Sequence, residues 1–231
     1  MLGEDLRRRQ PHARKYEVLL ERLKDERGKR VVFVSHCLLN ENVRYLGGAF
    51  RRGGVDEVIM GYLREGIGIY QMPCPEQRAW GGVLKRYILP WYGSKDTLRY
   101  ALATPMFGVF LWYTRQMYRR LAKRVVRDIE DYVSSGFEVV GIVGIGGSPS
   151  CGVRRTLDLK RSFDVAASCP LQQLNRETFN ETVLVGCIID GEGLFETALR
   201  QRLGRRGLSV PFFEHDVVAE MRGSQSSIRP T

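Results

Sequence analysis

The chain has 231 residues, enough to bury a sizeable core, and 43% of them are hydrophobic, which excludes a disordered chain. Lys and Arg number 36 against 26 Asp and Glu, a net charge of +10, which suits either a polyanionic partner or a solvated, arginine-rich surface. The longest apolar stretch, Met106 to Tyr113, is too short to span a bilayer, Met1 to Arg9 lacks the apolar core of a signal peptide, and five cysteines show no disulfide spacing; the expectation is a cytoplasmic chain with reduced thiols and no membrane partner.

Residues 1–29 read as a charged helical extension, interrupted by Pro11, with Tyr16, Leu19, Leu20 and Leu23 as one apolar stripe. Val31 to Ser35 is a buried strand, apolar and β-branched throughout most of its length, and it breaks at His36-Cys37 into Asn/Gly-rich sequence. Val55 to Glu65 suits a helix stopped by Gly66. Ile67 to Met72 is the second strand, delivering Pro73-Cys74-Pro75-Glu76-Gln77. Arg78 to Ser94, rich in Gly and aromatics, has no period and reads as a structured loop.

Thr104 to Ser134 is a long helical pattern with Pro105 at its first position, closed by Gly136. Phe137 to Val143 is the third strand, and Gly144-Ile145-Gly146-Gly147-Ser148-Pro149-Ser150-Cys151-Gly152 is a turn that bares backbone N–H groups. A polar stretch and a helix near Leu171 to Thr178 lead to a fourth strand, Val183 to Ile189, ending in Asp190. A helix over Leu194 to Leu203 and a fifth strand, Leu208 to Phe213, ending in Glu214-His215-Asp216, complete residues 30–222. Residues 223–231 form a loose Ser/Arg/Pro-rich tail.

This alternation is a βαβ rhythm. It implies one α/β, Rossmann-like domain with a mainly parallel sheet and helices on both faces. In such sheets ligands bind beyond the carboxyl ends of the strands. Cys37, Cys74, Cys151, Asp190 and His215 all fall at such ends.

Three convergent thiols leave several chemistries open. Structural zinc wants a fourth ligand and a local C-x-x-C spacing that is missing here. An iron–sulfur cluster on three thiolates keeps one iron open as a Lewis acid for a soft sulfur ligand. Buried small hydrophobes are the plain alternative, and that reading suits Cys187, inside a strand pattern, and Cys169, before Pro170.

The stretch Val34-Ser35-His36-Cys37-Leu38-Leu39-Asn40-Glu41-Asn42-Val43-Arg44-Tyr45-Leu46-Gly47-Gly48 resembles the opening motif of the DUF523 (TudS) family. Pro73-Cys74-Pro75-Glu76-Gln77 and Ser148-Pro149-Ser150-Cys151-Gly152 resemble its second and third motifs, in the same order. Members are similar to thiouracil desulfurases. The resemblance implies a 4Fe–4S cluster on Cys37, Cys74 and Cys151, Ser148 in the substrate pocket, and release of sulfide from 2- or 4-thiouracil, as base, nucleoside or thiolated RNA.

Hydrolysis of a thiocarbonyl needs a base for water, and Glu76, two residues from a ligand, is the first candidate. Asp190 and His215 are second choices, and His36 suits a hydrogen bond to a cluster sulfur. Tyr45, Tyr70 and Trp80 are candidates to stack on a pyrimidine. Two other readings use the same features: a basic RNA-binding module with structural or zinc-bound cysteines, and a cluster that carries electrons or sulfur.

Overall fold

The computed structural model of the protein describes residues 13–224 and 229–230. In chain order the first half comprises α1 (Ala13–Arg22), β1 (Arg30–Val34), α2 (His36–Leu39), α3 (Asp56–Arg64), β2 (Gly68–Gln71), α4 (Pro75–Ala79) and α5 (Leu98–Ser134). The second half comprises β3 (Glu138–Gly146), β4 (Arg155–Leu157), α6 (Leu159–Ser168), α7 (Arg176–Phe179), β5 (Ile188–Asp190), α8 (Leu194–Arg205), β6 (Phe212–Asp216), α9 (Val217–Met221) and β7 (Arg229–Pro230).

The main sheet runs β2-β1-β3-β6-β7, parallel over its first four strands, with β7 antiparallel to β6. Strand alternation sends neighbouring side chains to opposite faces. Phe33, Ile142 and Phe212 pack beneath α5 and α8, whereas Val32, Val34, Val143 and Ile145 pack with Val58 of α3 and Val217 of α9. The fold is therefore mixed α/β with both sheet faces covered, as the rhythm predicts.

From β1 the chain steps outward to β2, then crosses back to place β3 on the other side of β1. That reversal opens a crevice at the carboxyl ends of β1 and β3, where α/β sheets hold ligands. Cys37 follows β1 and Cys151 follows β3, so two of the three thiols flank the switch point.

Several expectations are corrected. Val183 to Ile189 is not a strand of the parallel sheet: residues 180–185 form a π-helical turn, and β5 pairs antiparallel with β4 in a separate two-stranded ladder. Phe179 and Val183 are buried four residues apart, as are Asn180 and Leu184; this helical spacing was hidden inside a short apolar run. The Leu171–Thr178 helix is broken into a 3₁₀ turn, Leu171–Gln173, and α7.

The long helix begins at Leu98, not Thr104. Thr97 caps it by accepting the Tyr100 N–H at 3.2 Å, so Pro105 lies inside it and only one intrahelical bond is lost there. The last parallel strand spans Phe212–Asp216, carrying His215 inside the ladder. Of the N-terminal extension, residues 1–12 lie outside the described residues; Tyr16, Leu19, Leu20 and Leu23 on and beside α1 are exposed. Within the C-terminal tail, Arg229–Pro230 pair with Phe213 and Glu214 rather than hanging loose. Among the described residues no helix is long and apolar enough to cross a membrane.

Candidate functional site

Each cysteine is set by the backbone that follows its strand. After β1 the Ser35 N–H still reaches the Val143 carbonyl at 3.0 Å, and the chain then turns straight into α2, with Leu38 buried as its anchor. After β2 the Met72 N–H bonds Val34 O at 2.9 Å, and Pro73 and Pro75 bracket Cys74. Cys74 is the N-cap of α4: its sulfur accepts the Gln77 N–H at 3.4 Å, with Pro75 at the first helical position.

Cys151 sits on a loop that folds back on its own strand. Gly147 turns the chain at φ +82, and the Ile145 N–H bonds Cys151 O at 2.8 Å. Only glycine fits at Gly144, where a Cβ would stand 2.3 Å from that same carbonyl oxygen. The Ser148 hydroxyl accepts the N–H groups of Ser150 and Cys151, at 3.2 and 3.0 Å. The opening N–H groups of α8 close the loop from outside: Leu194 donates to Pro149 O, and Phe195 and Glu196 donate to Ser150 O, at 3.0 to 3.1 Å. Helix termini leave those donors without helical partners, and here a loop uses them.

The three cysteines line one cavity of about 120 Å³ together with His36, Glu76 and Ser148. Its walls are aromatic and apolar, including Tyr45, Trp80, Trp91, Tyr92 and Phe163. Trp91 is held edge-on by Phe163, with ring centroids 5.3 Å apart, and Tyr92 stacks on Phe179 at 5.2 Å.

Burial dominates the electrostatics. It pushes the Cys37 thiol up to about 11 against the pull of Arg44. Burial, Glu76 and Cys37 together push Cys74 up to about 12. Cys151 is raised well above the usual thiol range by burial and then by Cys37, while the Ser35 hydroxyl beside it, buried and without another partner, favours the thiolate. Cys151 thus feels both other sulfurs, and Cys74 feels Cys37. Near neutral pH these thiols keep their protons unless positive charge enters among them, as a bound metal centre supplies.

Three thiols, Cys74 and Cys151 buried and Cys37 half-buried, around a largely apolar space are a donor set that would fit an iron–sulfur cluster. Among the described residues no three His, Cys, Asp or Glu side chains close on the position of one metal ion. The three cysteines share the cavity lining.

Glu76 is the acid at this wall. Its Oε1 accepts the Ser150 hydroxyl at 3.1 Å, and Ser150 Oγ is 2.7 Å from the hydroxyl of the buried Tyr118. Its Oε2 lies 3.5 Å from Lys85 Nζ, and that ammonium also donates to the Val43 carbonyl. Lys85 is buried, and its backbone lies in the left-handed region, at φ 50, inside the stretch read as a loop.

A second polar cluster braces Arg44, which also lines the cavity. Arg44 grips Glu220 with two bonds of 3.0 Å, and His215 Nε2 stands 2.7 Å from Glu220 Oε2. Glu41 accepts the N–H groups of Phe50 and Arg51, at 2.6 and 3.0 Å, and faces Glu220. Burial and this second carboxyl raise Glu41 to about 7. Burial also opposes the ionised form of Glu220, yet His215, Glu41 and Arg44 hold its pKa far below the usual carboxylate range. Glu41 Oε1 is buried without a hydrogen-bond partner. Behind Cys151, Glu196 is fully buried, neither of its carboxyl oxygens has a hydrogen-bond partner, and burial raises it well above the usual range.

The structure thus brings together Cys37, Cys74, Cys151, His36, Glu76 and Ser148, with Tyr45 and Trp80. It does not bring Asp190 or His215 to the cavity. Asp190 is exposed on β5, opposite Arg155 in the small ladder, because the strand expected to carry it to the sheet edge is absent. His215 is fully buried in β6 and serves Glu220. Tyr70 stacks on Phe33 at 4.4 Å and bonds Asp128, away from the cavity. Sequence reasoning missed Lys85, Ser150, Tyr118, Arg44, Glu41 and Glu220. Ser150, Arg44 and Glu41 stood inside the quoted motifs, which was a usable signal; Lys85 had none.

The chain is 26% identical over 127 residues to the uncharacterized protein MJ0003 of Methanocaldococcus jannaschii, a match covering 55% of this chain and 70% of that one. No family model matches the chain. No solved structure matches it either.

Proposed function

We propose that the protein hydrolyses the thiocarbonyl of a thiolated pyrimidine, releasing sulfide, with a 4Fe–4S cluster held by Cys37, Cys74 and Cys151. The observation that carries this reading is that the three thiols, Glu76 and Ser148 share one cavity at the switch point of the sheet. The resemblance of all three cysteine motifs to the DUF523/TudS family supports it independently. When bound, such a cluster supplies a Lewis-acidic iron that polarises a carbon–sulfur bond without any net redox change.

The chain's own residues supply the remaining chemistry. Glu76 takes a proton from attacking water, and the Ser150 and Lys85 contacts fix which way its oxygens point. A serine hydroxyl has two lone pairs and one proton. Because Ser148 Oγ already accepts two N–H groups, its proton is left to donate to a ring carbonyl. Tyr45, Trp80, Trp91 and Tyr92 exclude water and offer flat surfaces to a heteroaromatic ring. His36 lines the cavity, is held below the ordinary histidine range by burial, and has its ring hydrogen-bonded to the Met72 backbone, which orients it beside the thiols.

The deciding experiment is anaerobic. Protein reconstituted with iron and sulfide is given 2- or 4-thiouracil, and sulfide and uracil are measured with no electron donor present. Turnover is the expected result. A cluster-loaded protein inert toward thiolated bases, nucleosides and thiolated RNA would overturn the reading.

A further inference from the structure

The outward face of α5 has no partner among the described residues, and it changes character along its length. In its first half Leu98, Leu102, Met106, Val109, Trp112 and Tyr113 are exposed, Leu98 by 77% and Trp112 by 61%. In its second half Arg115, Arg119, Arg120, Lys123, Arg124 and Arg127 are exposed, and none of them makes an ion pair with a described acid. No Asp or Glu occurs anywhere from Leu98 to Arg127. At 3.6 residues per turn all these positions fall within one half of the helix circumference, opposite the buried Thr114, Tyr118, Leu121 and Val125. One face of the helix thus carries an apolar segment of about 22 Å followed by a purely cationic one.

We propose that this face docks on an anionic lipid bilayer, its first half in the acyl boundary and its second half at the phosphates. A helix lying on a membrane needs none of the length that crossing demands. Trp112 and Tyr113 stand at the junction of the two halves, the level at which amphipathic rings settle between hydrocarbon and headgroup. The cations complement the negative potential of anionic lipid. An RNA would satisfy the second half alone and leave Leu98, Leu102, Met106 and Val109 in water. A second copy paired antiparallel would cover the first half, but would set each cationic half against the partner's helix N-terminus, where Lys95 and Arg99 add to the positive end of the dipole.

The test is flotation of the full chain with vesicles of phosphatidylcholine alone, or mixed with phosphatidylglycerol. Binding to the mixed vesicles is expected, at least about tenfold tighter than to phosphatidylcholine and weakened by salt. The triple change R119E/R120E/K123E should weaken it about a hundredfold, and L102S/V109S about tenfold, each with an unchanged circular dichroism spectrum because the side chains are exposed. A blue shift of tryptophan emission on vesicles should vanish in W112F. Three results would overturn the proposal: no partition at low salt, capture of RNA without vesicle binding, or a dimer in sedimentation that L102S/V109S dissociates.

Discussion

The Ser150 hydroxyl stands 3.1 Å from Glu76 Oε1, tying the loop after β3 to the helix after β2 across the carboxyl edge of the sheet. Two of the three cysteine-bearing segments are thereby locked to each other by a bond that also aims the candidate base. Ser150 is itself fixed by Tyr118 from α5 and by the first turn of α8. The base is positioned from four separate elements.

Replacing Cys37, Cys74 or Cys151 by Ala should each abolish the brown absorbance and iron content of anaerobically reconstituted protein. Cys169→Ala should keep both. Cys187, fully buried with its sulfur 3.7 Å from the Thr182 carbonyl, should keep the cluster as Ala but lose about 1 kcal/mol of stability. Iron retained in Cys74→Ala would show that the ligand set is wrong.

Glu76→Gln should lower turnover about 10²–10⁴-fold with the cluster intact, the usual scale of general-base assistance. Ser148→Ala should cost about 1–3 kcal/mol in kcat/KM, the scale of a lost polar contact. Lys85→Met removes a buried ammonium that holds both Glu76 and the Val43 carbonyl, so stability and turnover should fall together. Steady-state kinetics beside urea midpoints separates these effects; unaltered turnover in Glu76→Gln assigns the base elsewhere.

Two glycines should respond in opposite ways to alanine. At Gly144 the new methyl meets the Cys151 carbonyl, so Gly144→Ala should cost about 1–3 kcal/mol or more and loosen iron retention. At Gly61, inside α3, nothing lies within 4 Å, so Gly61→Ala should stabilise by about 0.5–1 kcal/mol. Thermal melts of both variants check the pair.

Stability should fall as pH rises from about 4.5 through about 7, because the folded state holds a proton on Glu41 that the unfolded chain has already released. Glu220 works the other way: its depressed pKa contributes stability above 4.5 that disappears on acidification. Burial and Glu220 set the direction for Glu41, whereas His215, Glu41 and Arg44 set it for Glu220, with Arg51 close by. Glu41→Gln should flatten the decline between pH 5 and 8 in urea midpoints, and Glu196→Gln should raise the midpoint at neutral pH. An unchanged slope in Glu41→Gln would place the proton on another group.

The parallel strands were legible because Val31–Val34 and Ile142–Val143 are apolar on both faces, a pattern a half-exposed strand does not show. The strand-end cysteines were legible because Gly and Pro break each run where the thiol appears. What failed was a run too short to decide between periods, Val183–Leu184, which tertiary packing turned into a helical turn. Lys85 was illegible for another reason: a lysine's burial is decided by which distant groups meet it, here Glu76 and Val43. The same holds for Glu220, whose partner Arg44 lies 176 positions away.

The use of α8 to hold the Cys151 loop has a consequence for biosynthesis. The carbonyls of Pro149 and Ser150 stay without their amide partners until Leu194, Phe195 and Glu196 have left the ribosome and docked. A nascent chain that has reached Gly152 already carries all three thiols, yet the third of them has no fixed seat. Loading with metal before that moment meets two thiols and an unseated third, so maturation of this protein belongs after α8 has docked on the Cys151 loop.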